Sequence, residues 1–130
     1  MNFELPMTIY ISHSRNFDYQ KELYEVLQNS SLAQKYELIL PHKDSSEPYP
    51  TKDLILNKKC DLVLAEVSYP ATGQGIELGW ADIAKIPIVC ISKKDHKVAG
   101  SLKVISNNFL EYSSLADILG EIEQVIEDHV

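Results

Sequence analysis

Residues 61–92 read DLVLAEVSYPATGQGIELGWADIAKIPIVCIS, and this stretch decides the fold. It opens with the apolar run DLVLAEV at residues 61–67 and closes with PIVCIS at residues 87–92, both typical of buried strands. Between them, the sequence predicts a helix that starts after a turn at residues 73–75 (GQG) and ends near Lys85. A strand, a helix and a second strand in this order predict a crossover unit of a parallel sheet.

Upstream of this unit, the same alternation of strand and helix is predicted. Residues 7–12 (MTIYIS) and 36–40 (YELIL) are apolar runs that indicate two further strands. The helix between them carries its apolar side chains at helical spacing, at Tyr19, Leu23, Val26 and Leu27. Residues 41–50 contain three prolines and predict a loop, and residues 51–58 predict a short helix before the third strand.

Downstream, residues 108–112 predict a weaker fifth strand, and Ser114 with Asp117 predicts the capping box of a last helix. The apolar stripe of that helix consists of Leu115, Ile118, Leu119, Ile122, Val125 and Ile126. Five strands alternating with helices predict a doubly wound α/β fold of the flavodoxin or Rossmann type, with helices on both faces of one parallel sheet. Ligands of such sheets bind outside the carboxyl ends of the strands, so we expect the site in those loops.

Length and charge limit the possible functions. The chain has 130 residues, of which 45% are hydrophobic, enough for one core, and we expect a single domain over residues 1–130. Its 19 acidic and 12 basic residues give a net charge of −7, which would repel a phosphate backbone and argues against a nucleic acid polymer as partner. Arg15 is the only arginine, and a guanidinium is suited to planar, bidentate recognition of a phosphate or carboxylate.

Cysteine spacing and the lack of long apolar runs bear on location. Cys60 and Cys90 lie far apart without a CxxC motif or a Cys/His cluster, which argues against a disulfide framework or a metal site. Residues 1–7 lack the basic and apolar regions of a signal peptide, and no run approaches the ~20 apolar residues of a membrane span. The sequence therefore predicts a cytoplasmic protein without a membrane partner.

Glu77 is the first candidate for chemistry, because it lies one helical turn after a glycine-rich segment at the end of a predicted strand. The spacing alone allows two interpretations. An acidic residue in this place stabilises the helix N-terminus through the macrodipole by ~0.3–1 kcal/mol. A carboxylate at the ligand-binding edge of the sheet can also stabilise or trap an oxocarbenium-like sugar during displacement at its anomeric carbon.

Residues 65–79 carry the pattern AEV-x-x-P-x-x-G-x-G-x-E-L-G, whose fixed positions include Gly73, Gly75 and Glu77. In this pattern the chain resembles the nucleoside 2-deoxyribosyltransferase superfamily, and most closely its 2-deoxynucleoside 5-phosphate N-hydrolase branch. The resemblance extends more loosely from Ile9 to the C-terminal helix. It implies that Glu77 is the nucleophile and forms a deoxyribosyl-enzyme intermediate, with Gly73 and Gly75 in the substrate-binding segment.

The resemblance also implies a substrate and an assembly. We expect cleavage or exchange of the N-glycosidic bond of a 2-deoxynucleoside or its 5-phosphate, with water or a second base resolving the intermediate. The partner is then a small-molecule nucleoside or nucleotide, and neither a metal nor an organic cofactor is implied. Related sites borrow residues across subunits, so the resemblance implies a homodimer or a higher homo-oligomer.

Three more side chains are candidates for the site. The resemblance matches Asp53 to an aspartate that orients the base and takes part in proton transfer, although the segment TKDLI equally suits a solvated acid on a helix surface. Glu66 is interpreted as a structural or sugar-side hydrogen-bonding group rather than as the nucleophile. Tyr10, in the first strand, is a candidate substrate-binding residue.

The loop after the first strand carries Ser12, His13, Ser14 and Arg15, whose side chains suit phosphate binding near the start of a helix. The N-hydrolase branch has a G-S-x-R-G-G type of loop at this point. Either Ser12 or Ser14 matches its serine, but the glycines are absent. His13 is expected either to bind ligand or to be solvated in the loop.

A second departure from the branch is Ala71. It stands where the N-hydrolases have a phosphate-contacting serine and the transferases have an aspartate for the sugar hydroxyl. Thr72 is the candidate to replace that contact after a small shift. Ser101 is the candidate to reach the site of a neighbouring subunit.

Other protein classes share parts of this pattern. A phosphoacceptor receiver domain has the same size and strand order, but its aspartate at the end of strand three and its lysine after strand five are not in place. The opening MTIYISHSRNFDYQKELYEVL resembles Toll/interleukin-receptor-like domains, some of which hydrolyse NAD, yet the GxGxELG segment is foreign to them. A non-catalytic nucleotide-binding module is the third alternative, because of Ala71 and the missing glycines.

Overall fold

The computed structural model describes residues 6–44 and 48–129. Its strands are β1 (Thr8–His13), β2 (Glu37–Ile39), β3 (Leu62–Glu66), β4 (Ile88–Lys93) and β5 (Asn108–Tyr112). They form one five-stranded sheet in the order β2-β1-β3-β4-β5, and every neighbouring pair is parallel. The predicted α/β fold with a five-stranded parallel sheet is confirmed.

The helices alternate with the strands. They are α1 (Glu25–Gln28), preceded by a π-helical turn at Gln20–Tyr24, then α2 (Ser31–Lys35), α3 (Thr51–Leu56), α4 (Thr72–Ile83) and α5 (Leu119–Glu127), with 3-10 helices at Gly100–Val104 and Leu115–Ile118. The first predicted helix is thus divided. Its second part restarts at Ser30, whose hydroxyl accepts a hydrogen bond from the backbone N–H of Leu32 at 3.2 Å.

Side-chain alternation along β1 divides the core into two layers. Ile9 and Ile11 pack with α1, α2 and α5, whereas Tyr10 between them packs with α3 and α4. The prediction of helices on both faces is therefore confirmed. The same alternation sends the Tyr10 side chain toward the layer that contains α4, the helix that carries Glu77.

The strand register places the carboxyl ends of β1 and β3 side by side. Ser12 lies opposite Ala65, and His13 lies opposite Glu66. The strand order reverses at this pair, because β2 lies outside β1 while β4 lies outside β3. At such a reversal the loops after the two strands diverge and leave a crevice for a ligand.

Two details of the predicted helices are wrong. Gly73 and Gly75 lie within α4 rather than in a turn before it, because the extended backbone of Ala71 already starts the helix and Gly75 N–H bonds to the Ala71 carbonyl at 3.1 Å. Ser114 precedes the last helical segment, but its side chain makes no capping bond. Its carbonyl accepts instead from Asp117 N–H at 3.0 Å, and the first turn is a 3-10 helix. Across the two described ranges, no helix is long and apolar enough to cross a membrane.

Candidate active site

The carboxylate of Glu77 is held by two hydroxyl groups from β1. Tyr10 Oη donates to Oε1 at 3.1 Å, and Ser12 Oγ donates to Oε2 at 2.9 Å. Both donors lie on the same strand two residues apart, so their side chains leave the same face of the sheet. Each carboxylate oxygen is therefore oriented by one fixed donor.

Burial and hydrogen bonding act in opposite directions on Glu77. The half-buried position raises the pKa of this carboxyl above its ordinary value, while the bonds from Ser12 and Tyr10 lower it. The net direction is upward. A carboxylate that is poorly solvated but still held by hydroxyl donors suits a nucleophile, since little water has to be removed before it attacks.

Glu77 opens into a cavity of about 410 Å³ at the carboxyl edge of the sheet. The cavity is bordered by the loop after β1, by His42 after β2, and by the first turn of α4. Its lining residues are His13, Ser14, Arg15, Asn16, His42, Pro70, Ala71, Thr72, Gly73, Gln74 and Glu77. Its size falls within the range of small-molecule sites.

Two features of this cavity favour an anion. Ala71 is the N-cap residue of α4 and provides no side-chain acceptor for the N–H groups of the first turn. Arg15 lines the same cavity and adds a guanidinium. A helix N-terminus beside a guanidinium attracts phosphate or carboxylate groups.

His13 is a fixed, neutral imidazole in the wall of the cavity. Its Nδ1 lies 2.8 Å from the carbonyl oxygen of Ser14, which can only accept, so Nδ1 carries the proton. Nε2 must then accept from Tyr24 Oη at 2.5 Å, and Tyr24 in turn accepts from His42 N–H at 3.1 Å. Burial lowers the pKa of His13 to about 4. His13 is therefore buried and hydrogen-bonded rather than solvated.

A cluster of aromatic rings connects the two loops that border the cavity. Phe17, after β1, stacks on Tyr69, after β3, with ring centroids 5.1 Å apart. Lys93 Nζ lies 5.1 Å from the centroid of each ring and donates to Tyr69 Oη at 2.8 Å and to Glu22 at 2.9 Å. These contacts fix the separation of the loops.

The structure brings most of the predicted residues to Glu77. Tyr10 and Ser12 bind its carboxylate, while the other residues in contact with the same cavity are His13, Ser14, Arg15, Ala71, Thr72 and Gly73. The two possible serines of the first loop thus differ in their environment. Ser12 points to Glu77, whereas Ser14 lies beside Arg15 in the cavity wall and accepts from Asn16 N–H at 3.0 Å.

Two predicted acidic residues point elsewhere. Glu66 is buried and accepts from Ser68 N–H at 2.7 Å, from the Ser68 hydroxyl at 2.9 Å and from the Tyr112 hydroxyl. Asp53 is exposed and paired with Lys59 at 2.7 Å. The bond from Lys59 holds the pKa of this carboxyl below its ordinary value.

Gly75 and Ser101 line a second cavity of about 400 Å³. This cavity shares Pro70, Ala71, Thr72 and Gln74 with the first one but does not include Glu77. Ser101 is exposed on the 3-10 helix Gly100–Val104. Within one copy of the chain, it is not among the residues that line the Glu77 cavity.

Three residues of the site were not predicted from the sequence. Tyr24 and His42 complete the hydrogen-bonded chain to His13, and Thr51 Oγ1 lies 2.8 Å from Tyr10 Oη. Tyr24 follows Leu23 within an apolar helical stripe, which offers no signal of a polar contact. In the segment TKDLI only Asp53 was considered as a site residue. Thr51 could have been predicted too, because it is a polar residue at the start of a short helix after a proline-rich loop.

No protein-family model matches the chain. A curated protein of Methanosarcina mazei, named "Putative 2'-deoxynucleoside 5'-phosphate N-hydrolase 1", is 35% identical to it over 66 residues. The match covers 51% of this chain and 41% of that protein, so it spans less than half of the length of the relative.

Solved structures share the fold at low sequence identity. The CMP N-glycosidase BcmB of Clostridium botulinum is 20% identical, with a TM-score of 0.64 over 89% of this chain and 98% of that one. A signal receiver domain from Vibrio parahaemolyticus is 14% identical, with a TM-score of 0.61 over 96% and 90% of the two chains. A conserved protein from Enterococcus faecalis V583 is 19% identical, with a TM-score of 0.57 over 93% and 99%.

These structural neighbours show the fold alone, because receiver domains and glycosidases share it. The sequence motif around Glu77 and the Methanosarcina relative add a likeness in sequence to this likeness in fold. Together they confirm that this chain resembles the nucleoside 2-deoxyribosyltransferase superfamily and its 2-deoxynucleoside 5-phosphate N-hydrolase branch.

Proposed function

We propose that this protein cleaves the N-glycosidic bond of a nucleoside 5′-phosphate, with Glu77 as the nucleophile. The observation that carries the proposal is the Glu77 carboxylate, oriented by Tyr10 and Ser12 and opening into a cavity that also contains Arg15. The names of the Methanosarcina relative and of the Clostridium structure, an N-hydrolase and an N-glycosidase of nucleotides, support the same reaction class.

In this mechanism Glu77 attacks the anomeric carbon C1′ of the sugar. A bond forms between one carboxylate oxygen and C1′ while the C1′–N bond breaks, and its electron pair leaves with the base, which takes up a proton. Water then attacks C1′ and gives up a proton to the solvent, which replaces the proton taken up by the base; the C1′–carboxylate bond breaks, Glu77 is released and the sugar phosphate is formed. A second base attacking in place of water would give exchange, so hydrolysis and transfer share the first step.

The phosphate of the substrate is assigned to the end of the cavity formed by Arg15 and the first turn of α4. Ala71 offers no hydroxyl there, so Thr72 and the backbone N–H groups of the turn are the remaining donors on α4. The sugar would then lie between this end and Glu77. The walls next to His13 and His42 are left for the base.

The resemblance implies a role toward the base for Asp53, which in this structure is exposed and does not line the Glu77 cavity, so that role would require its side chain to turn toward the cavity. Because the Lys59 bond lowers its pKa, Asp53 is ionised near neutral pH and acts as an acceptor. Orienting an amino group of the base suits this state better than donating a proton. Exchange of its present partners, Asn57 and Lys59, would have to accompany that role.

We further propose that the protein forms a homodimer through the outer face of α4. Ile76 and Ile83 lie on this helix seven positions apart, which places them on one face, and they are 50% and 77% exposed. A pair of exposed isoleucines on one helix face suits an interface. A cytoplasmic location stays a prediction from the sequence.

The activity can be tested with the purified protein and its Glu77→Ala variant. Both are incubated with deoxynucleosides, deoxynucleoside and ribonucleoside 5′-phosphates and NAD, with and without a second base, and free base is measured by chromatography. We expect release from a nucleoside 5′-phosphate by the wild type and a loss of at least about a thousandfold in the variant, as for other catalytic nucleophiles.

Each other outcome would indicate a different activity. Base exchange would assign the activity to the transferases, and NAD cleavage would favour the Toll/interleukin-receptor-like alternative. If no substrate is turned over but a nucleotide raises the melting temperature, the protein is a binding module and the proposal is wrong.

A further inference from the structure

Two polar residues on helix α3 have different surroundings, one buried and one exposed to solvent. Thr51 begins the helix and is 5% exposed, whereas Asp53, two positions later, is exposed to solvent. Residues two apart on a helix point in nearly opposite directions, so only one of them can face the sheet. The side chain of α3 that reaches toward the Glu77 site is therefore Thr51.

The bond between Thr51 and Tyr10 has a defined direction. Tyr10 has one phenolic proton, and an ionised Glu77 carboxylate can only accept, so the Tyr10 proton points to Glu77. The hydroxyl of Thr51, 2.8 Å from Tyr10 Oη, must then be the donor in that pair. The result is a directed chain from Thr51 to Tyr10 to Glu77.

We propose that Thr51 is a positioning residue for Glu77, which acts by donating to Tyr10 and thereby strengthening the hydrogen bond from Tyr10 to the carboxylate. In a buried chain of hydrogen bonds, each incoming donor strengthens the next bond. Thr51 thus stabilises the ionised form of Glu77 without touching it. The catalytic meaning of this effect rests on the proposed function, whereas the hydrogen-bonded chain does not.

The contacts around Glu77 allow the effect of the Thr51–Tyr10–Glu77 hydrogen bonds to be measured separately. The donors bonded to its carboxylate in the described part of the chain are Tyr10 and Ser12, both from β1. The other titratable or charged side chains lining its cavity are His13, Arg15 and His42. The Thr51 hydroxyl is bonded to Tyr10 Oη, which in turn donates to Glu77, so a change at Thr51 should reach Glu77 through Tyr10.

The test uses Thr51→Val, which keeps the shape but removes the hydroxyl, and Thr51→Ser, which keeps the hydroxyl. Ile55→Val is the matched control, because Ile55 is a buried residue of the same helix and loses one methylene without altering a hydrogen bond. The titration of the Glu77 carboxyl carbon is followed by ¹³C NMR and assigned by its loss in Glu77→Gln. The kcat and KM for base release are measured against pH.

We expect Thr51→Val to move the Glu77 titration and the acidic limb of kcat to higher pH. At neutral pH we expect kcat to fall about twofold, because losing the incoming donor weakens the Tyr10–Glu77 bond by roughly 10–30%, with little change in KM. Thr51→Ser and Ile55→Val should titrate like the wild type. In a Tyr10→Phe background, Thr51→Val should produce no further shift, because the connecting hydroxyl is already gone.

Two results would overturn the proposal. One is a Glu77 titration that is unchanged in Thr51→Val, and the other is an equal shift in Ile55→Val, which would indicate a general loosening of α3. If the wild type releases no base at all, the proposed function fails. The NMR titration still decides the role of Thr51 in that case, since it needs no turnover.

Discussion

The carboxyl group of Glu77 is partly buried and accepts hydrogen bonds from two specific donors. Burial disfavours its charged form, while Tyr10 and Ser12 favour it, and the balance leaves its pKa above the ordinary carboxyl value. The carboxylate of a less acidic carboxyl group is a stronger nucleophile than that of a solvated one. The pH dependence of catalysis should report this balance.

We expect kcat/KM to fall as the pH drops through the raised pKa of Glu77, since the protonated carboxyl cannot attack C1′. The loss should therefore begin at a higher pH than an ordinary carboxylate would give. A pH–rate profile measures it, with substrate phosphate ionisation determined separately. A rate that stays constant down to the ordinary carboxyl range would contradict this assignment.

His13 should make the fold sensitive to acid. Its pKa is about 4 in the folded protein and 6.5 ordinarily, so the unfolded chain binds the proton more tightly. Stability should fall as the pH drops from about 6.5 to about 4, by roughly 2–4 kcal/mol in total. Denaturant unfolding of wild type and His13→Asn at several pH values measures this, and the variant should lose less. A His96→Asn control, altered at an exposed site, should follow the wild type.

The sequence was informative about single residues where the motif and the strand ends coincide. Glu77, Ser12 and Arg15 were predicted at the carboxyl edge of the sheet, and the structure gathers them there. The surroundings of Asp53 could not be predicted, because the exposed side of a six-residue helix depends on how that helix packs. The directed chain through Thr51 depends on the same packing.

At the scale of elements, α4 contains more glycine than its helical state favours. Gly73, Gly75 and Gly79 all lie within it, and apart from their chain neighbours and the nearby backbone of the helix itself, no atom comes within 4 Å of a Cβ built at any of them. The sequence predicts a turn for the first two, because glycine is unfavourable inside helices. The strand bounds were predicted within a residue or two, since apolar runs mark buried strands directly.

Replacing Gly79 by alanine should stabilise the protein. Within one copy of the chain, Gly79 is exposed and lines neither cavity, so the new methyl group meets no neighbour there. Because Gly79 lies on the same face of α4 as Ile76 and Ile83, the change is measured in the Ile83→Glu background, which we expect to be monomeric. The expected gain is about 0.5–1 kcal/mol from the lower flexibility of the unfolded chain. Thermal unfolding at fixed protein concentration measures it. Gly73→Ala should gain similarly but also reduce activity, because Gly73 lines the Glu77 cavity. A lower melting temperature for Gly79→Ala would show that this position needs glycine.

At the scale of the whole molecule, the strand order β2-β1-β3-β4-β5 places the site. The reversal between β1 and β3 opens the crevice that Glu77 and Arg15 border. The fold class to which this order belongs could be predicted from the sequence, because alternating strands and helices allow few topologies. The class alone did not indicate a reaction, since a receiver domain shares it.

Assembly is also a property of the whole molecule. We expect a homodimer in size-exclusion chromatography with light scattering, and a monomer for Ile83→Glu, which puts a charge on the exposed face of α4. Val104→Glu is the control, because Val104 is 84% exposed on a different element. A dimer that survives Ile83→Glu but is lost in Val104→Glu would place the interface elsewhere, and a monomeric wild type would exclude the dimer.

The stereochemistry at C1′ tests the role of Glu77 most directly. Turnover of a nucleoside 5′-phosphate in the presence of methanol yields a methyl glycoside whose configuration is read by ¹H NMR. Attack by Glu77 followed by attack of methanol inverts C1′ twice, so we expect the product to retain the configuration of the substrate. An inverted product would mean that solvent displaces the base in one step, and Glu77 would then not be the nucleophile.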